Sequence, residues 1–236
     1  MQRLIAIWEK SYYTEHLLVL VLCLALTISI QKRNKYKILN RIPVYIVSLL
    51  MVFISGSVSC FATDAKYHPG LFSELAEYID YSFTIVEMVT FSFFYYQLIG
   101  SLIVKKLIII LNIVFCLFCI YMFFMDQGFY QSMSQVIQSE VYAVEAVILL
   151  IVCLFFFIEM FTKPPYIDLK NEPIFWISTG LLFFLTCTLP YSLLESHISR
   201  NIPSFYPPSY SIFYIFYIFL FLMIIRAYLC KPEKTI

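Results

Sequence analysis

Acidic side chains lie inside stretches of this chain that are otherwise almost purely apolar. Asp80 and Glu87 stand seven residues apart, a spacing that places both on one face of a helix. Glu145 and Glu159 lie in another apolar stretch, and Glu195 closes a third. A charge in hydrocarbon is costly, so each of these is a candidate for binding or for proton handling. A neutral carboxylic acid costs far less there than a carboxylate. Glu87 is therefore expected to be protonated or hydrogen-bonded, with Ser82, Thr84, Thr90, Tyr214 and Tyr217 as candidate partners. Glu159 has an ordinary explanation, because Lys163 follows it at i+4.

Three histidines, His16, His68 and His197, complete the set, with Glu15 and Glu195 close by in sequence. Histidine beside carboxylates suits a proton, a cation or a small polar ligand. The expected ligand- or proton-binding residues are Glu87, Asp80, Glu145, His197, Glu195 and His16. No HxxxH or HExxH spacing unites the histidines on one helix, so no metal centre and no cofactor are expected. Cys116 and Cys119 form a CxxC pair, but inside an apolar stretch without a second pair, where thiols act as small core side chains. The seven cysteines all fall within or at the edges of apolar stretches, so a disulfide framework is not expected. No base and nucleophile are paired at a suitable depth, and the chain is not expected to be an enzyme.

These residues need elements to hold them, and the composition says which. The 236 residues are 61% hydrophobic, 19% aromatic and only 13% charged. About 20 apolar residues cross a hydrocarbon core of ~30 Å as a helix. Seven spans are predicted: 14–31, 42–62, 78–102, 105–125, 141–162, 173–194 and 209–229. Backbone groups in lipid must bond within their own segment, so each span is expected to be helical. The predicted fold is all-α, a polytopic seven-transmembrane-helix bundle forming one domain over 1–236. The first span is the weakest, with an uninterrupted apolar run of only Leu17 to Ile30. It lacks the small-residue cleavage site of a signal peptide.

Orientation follows from the basic residues of short loops. Lys32, Arg33, Lys35, Lys37 and Arg41 follow span one, Lys105 and Lys106 follow span three, Lys163 and Lys170 follow span five, and Arg226, Lys231 and Lys234 close span seven. Only Arg3, Lys10, Lys66 and Arg200 fall on the other side. The N-terminus is predicted outside and the C-terminus in the cytoplasm, in a cytoplasmic (inner) membrane. The near-neutral charge of +1 gives no reason to expect nucleic acid as a partner. Pro190 lies about one turn from the outer end of span six, where it frees a carbonyl and is expected to kink the helix.

The start of span six reads Glu172-Pro173-Ile174-Phe175-Trp176-Ile177-Ser178-Thr179-Gly180-Leu181-Leu182-Phe183-Phe184. Pro173 suits a first helical turn, Glu172 the positive end of the helix dipole, Trp176 headgroup depth, and Gly180 a close helix contact. This pattern resembles one in short, uncharacterised seven-helix membrane proteins of Gram-negative bacteria, often found beside sensor histidine kinases. The basic loop running into Ile42-Pro43-Val44-Tyr45, and Tyr81-Ser82-Phe83-Thr84-Ile85-Val86-Glu87, are similar to the same group. The resemblance implies a membrane module with a signalling role, with a histidine kinase or another membrane protein as candidate partner. It carries over no ligand and no catalytic residue.

The size and seven spans are also similar to SWEET-type sugar transporters, but the prolines expected in spans one and five are missing. The favoured expectation is a sensory or binding module with an outward-facing polar pocket, relaying to a partner. The alternatives are a small-solute or ion transporter and a structural subunit of a membrane complex, with a homo-oligomer compatible with each.

Overall fold

The computed structural model describes the backbone of residues 2–32, 37–64, 69–128, 134–162, 171–201 and 206–230, and the side chains of 15–32, 39–55, 79, 82–122, 140–162, 171–194 and 213–230. The described residues form seven α-helices and no strand: α1 Gln2–Gln31, α2 Ile42–Asp64, α3 Pro69–Leu98, α4 Leu102–Gly128, α5 Ser134–Thr162, α6 Pro173–Asn201 and α7 Tyr206–Leu229. A short 3-10 turn, Lys37–Arg41, leads into α2.

Local chemistry sets several of the boundaries. Pro69 and Pro173 open α3 and α6, where a missing N–H breaks no helical bond. Ser101 begins α4 by accepting the Lys105 N–H on its carbonyl at 3.1 Å. Helices α1 and α3 run well beyond the predicted spans, starting at Gln2 and Pro69 rather than near residues 14 and 78. Once a helix is nucleated, polar turns such as that around Glu74 and Glu77 extend it without needing to be apolar. Among the described residues, three segments are long and apolar enough to cross a bilayer: Leu102–Met122, Glu140–Thr162 and Pro173–Leu194. Shorter apolar helical segments are Glu15–Gln31, Leu39–Ser55 and Phe213–Leu229.

Six helices close into a ring. Neighbouring pairs are α1–α2, α2–α3, α3–α5, α5–α6, α6–α7 and α7–α1. Helix α4 lies outside it, packed among the described residues on α3 and α5, with Ile103, Ile110, Ile113 and Leu117 exposed. The ends of the ring are tied by polar and cation–π contacts. The Arg41 guanidinium lies 3.6 Å from the centre of the Phe93 ring, Lys105 Nζ 5.3 Å from Tyr96, and Arg226 5.3 Å from Trp176. Tyr228 donates to the Leu39 carbonyl at 2.8 Å, and the Gly100 N–H donates to Glu159 Oε1 at 2.8 Å. Together these place the starts of α2, α4 and α6 and the ends of α3, α5 and α7 at one basic end. Glu159 thus serves the α3–α4 turn, while Lys163 lies outside the described residues.

The core is aromatic. Tyr45, Tyr95, Tyr228, Phe91, Phe115 and Phe221 are its largest fully buried side chains. Gly180 brings α6 against α7: a Cβ there would stand 2.7 Å from Met223 Cβ.

Candidate functional site

Glu87 and Glu145 are both buried, each only 4% exposed, on helices that pack together in the ring. Glu87 lies 13 residues before Gly100, and Glu145 lies 14 before Glu159. Gly100 and Glu159 are hydrogen-bonded, so both acids stand about 20 Å above the basic end at ~1.5 Å rise per residue. They meet at the same level and interact electrostatically.

Tyr45 supplies the hydrogen bond that a buried acid requires. It reaches across from α2 and donates its hydroxyl to Glu87 Oε1 at 2.9 Å. Its ring is fixed on three sides. Phe83 stacks at 5.7 Å, Phe91 meets it edge-on at 4.9 Å, and Phe221 stacks at 5.9 Å. Such a cage removes rotamer freedom before the hydroxyl is asked to point anywhere. Glu145 is different: its Oε1 is buried with no hydrogen-bond partner among the described residues.

Both acids line a cavity of about 30 Å³ among α3, α5, α6 and α7. On that scale one water occupies ~10–15 Å³, so there is room for about two. Its polar wall is Tyr142, Thr188, Ser192 and Tyr217, and its apolar wall includes Leu149, Leu185 and Phe184. Along α5 and α6, Tyr142, Thr188 and Ser192 lie farther from the basic end than Leu149 and Leu185. On α5 and α6 the hydroxyls thus lie above the aliphatic side chains, while on α7 Phe213 lies above Tyr217. Thr188 and Ser192 donate to the carbonyls of Phe184 (2.8 Å) and Thr188 (3.2 Å), which leaves lone pairs on their oxygens.

A second buried polar group lies two turns nearer the basic end. Tyr95 donates to Cys153 Sγ at 3.2 Å, and the Cys153 thiol donates to the Ser178 carbonyl at 3.5 Å. This chain links α3, α5 and α6. Ser178 Oγ is buried beside it and interacts with the Tyr95 hydroxyl.

Of the residues expected at a site, Glu87 and Glu145 are brought together. His16 is exposed on α1 and is not among the residues that line the cavity. The side chains of Asp80, Glu195 and His197 lie outside the described residues. Pro190 is exposed on α6, which continues as helix through it to Asn201. The α6 residues that line the cavity are Phe184, Leu185, Thr188 and Ser192. Among the described residues no three His, Cys, Asp or Glu side chains cluster as a metal centre would need. Cys116 and Cys119 carry free thiols, the second of them buried in the core.

Sequence reasoning missed Tyr45, Tyr142, Thr188 and Ser192. A signal for Tyr45 existed: Ile42, Tyr45, Ile46 and Leu49 fall at helical spacing on one buried stripe, so the tyrosine faces inward and must bond something. No family model, curated protein or solved structure matches the chain.

Proposed function

We propose that this protein is a membrane-embedded sensory or binding module, in which all seven helices cross the bilayer and the Glu87–Glu145 cavity is its ligand pocket. One observation carries the reading: two acids are buried inside a bundle whose outer face is rich in exposed Ile, Leu, Val and Phe side chains. That polarity distribution suits lipid outside and a functional polar site within. The first span has the shortest uninterrupted apolar run and crosses with help from its flanks. Tyr12, Tyr13 and Lys32 extend it.

The basic end lies in the cytoplasm of an inner membrane by the loop-charge rule, so the N-terminus is outside. The hydroxyls of α5 and α6 then lie on the outward side, and the pocket fills from there. Occupancy changes the packing of α3 against α5, and the basic end relays this to a cytoplasmic or membrane partner such as a histidine kinase.

The test is accessibility of the pocket. Ag⁺ is a thiol-reactive cation small enough for a two-water cavity. In a cysteine-free background, the Ser192→Cys thiol is expected to react with Ag⁺ added outside, and Glu145→Gln to slow that reaction. A thiol that stays unreactive from the outside while the protein is folded overturns the pocket reading.

A further inference from the structure

From the site's size, donors and charge we infer that its occupant is a small hard monovalent cation, of sodium's size, taken up in exchange for one proton of the Glu87–Glu145 pair. The inference rests on the pocket reading above and names what fills the pocket.

Size excludes most alternatives. A cavity of about 30 Å³ has no room for a sugar, an amino acid or a nucleotide. The donors exclude others. Among the described residues the polar lining is two carboxyls and the hydroxyls of Tyr142, Thr188, Ser192 and Tyr217, all oxygen donors. Such a set suits a hard cation and is poorly matched to zinc or copper, which favour imidazole and thiolate. An anion has nothing to bind, because no described lining residue is basic.

Charge then sets the valence and the exchange. Among the described residues the titratable groups around the two acids are Tyr45 from α2, Cys119 from α4, Tyr142 from α5 and Tyr217 from α7, and α6 adds the hydroxyls of Thr188 and Ser192. None of these brings a positive charge. Two carboxylates at one level of a bundle repel each other strongly without a counter-charge. With Tyr45 donating to Glu87, Glu145 lines the same cavity, and its buried Oε1 has no hydrogen-bond partner among the described residues. A neutral empty site therefore carries its protons, and a neutral loaded site carries one cation in place of one proton. The step is COOH + Na⁺ → COO⁻·Na⁺ + H⁺, with no bond changed but O–H. A divalent ion would have to displace both protons to leave the site neutral, whereas a monovalent ion displaces one.

The experiment uses the full chain, purified in detergent and held in weak buffer. Sodium chloride is added, with choline chloride as control, while a pH dye reads protons and radioactive sodium reads binding. The wild type is expected to release about one proton for each sodium retained, and none with choline. Glu145→Gln, folded by circular dichroism, is expected to lose both signals at least tenfold, and Glu145→Asp to keep part of each. A folded wild type that releases no protons on sodium addition overturns the inference, whatever the variants do. Equal release by calcium at the same concentration overturns it as well. If Ag⁺ reaches the Ser192→Cys thiol while no proton is released, the cation assignment falls and the pocket stands. If Ag⁺ fails to reach that thiol, both fall.

Discussion

At the scale of single residues, the site depends on how each buried acid is satisfied. Glu87 has Tyr45, and the ring cage of Phe83, Phe91 and Phe221 holds that hydroxyl in place. Tyr45→Phe keeps the ring and removes only the donor. It leaves a buried acceptor short of a partner, so a loss of about 1–3 kcal/mol is expected on unfolding in detergent. Cys153→Ala removes the thiol that accepts from Tyr95, and with Ser178 Oγ beside that hydroxyl a smaller cost of about 0.5–1.5 kcal/mol is expected. An unchanged unfolding midpoint in either variant would remove the hydrogen bond concerned from the account. Glu87 and Glu145 were legible in the sequence because an acid in an apolar stretch has few bland explanations. Thr188 and Ser192 were not, because such hydroxyls usually bond their own helix, as these also do. Nothing in one dimension says that their remaining lone pairs face a cavity. His16, also expected at the site, is exposed on α1 and does not line the cavity.

At the scale of elements, two glycines separate close packing from adaptable contact. Gly180→Ala would place a methyl 2.7 Å from Met223 Cβ, an atom that moves only with the α7 backbone. Helices α6 and α7 must part, and a cost of about 1–3 kcal/mol is expected. Gly100→Ala meets the end of the Glu159 side chain at 2.8 Å, which can swing aside, so only its hydrogen bond is at risk and about 1 kcal/mol is expected. Thermal unfolding of the two variants side by side checks the order, and Gly100→Ala being the worse would contradict it. Helix α4 supplies the matching control. Ile110→Ala or Leu117→Ala on its outer face should move stability by no more than about 0.5 kcal/mol. The seven helices were legible from apolar run length. The true starts of α1 and α3 were not, because helix extension into polar turns leaves no hydropathy signal. Ring order was not legible either, since α3 passes over α4 to reach α5.

At the scale of the whole molecule, the described residues combine exposed aliphatic side chains on the outer face with two acids buried in an otherwise apolar core. The contacts of Arg41, Lys105 and Arg226 place these three basic side chains at one end of the ring. Reporter fusions are expected to report Met1 outside and Ile236 in the cytoplasm, and both ends in one compartment would contradict seven crossings. The central claim is more local: acids from α3 and α5 act as one site. The direct measurement is a double-mutant cycle on unfolding free energy with Glu87→Gln, Glu145→Gln and the double variant. Groups that share a site couple by about 0.5–3 kcal/mol, and that coupling is the result the account predicts. Effects that add to within about 0.3 kcal/mol would show that the two acids do not share a site, and would contradict it.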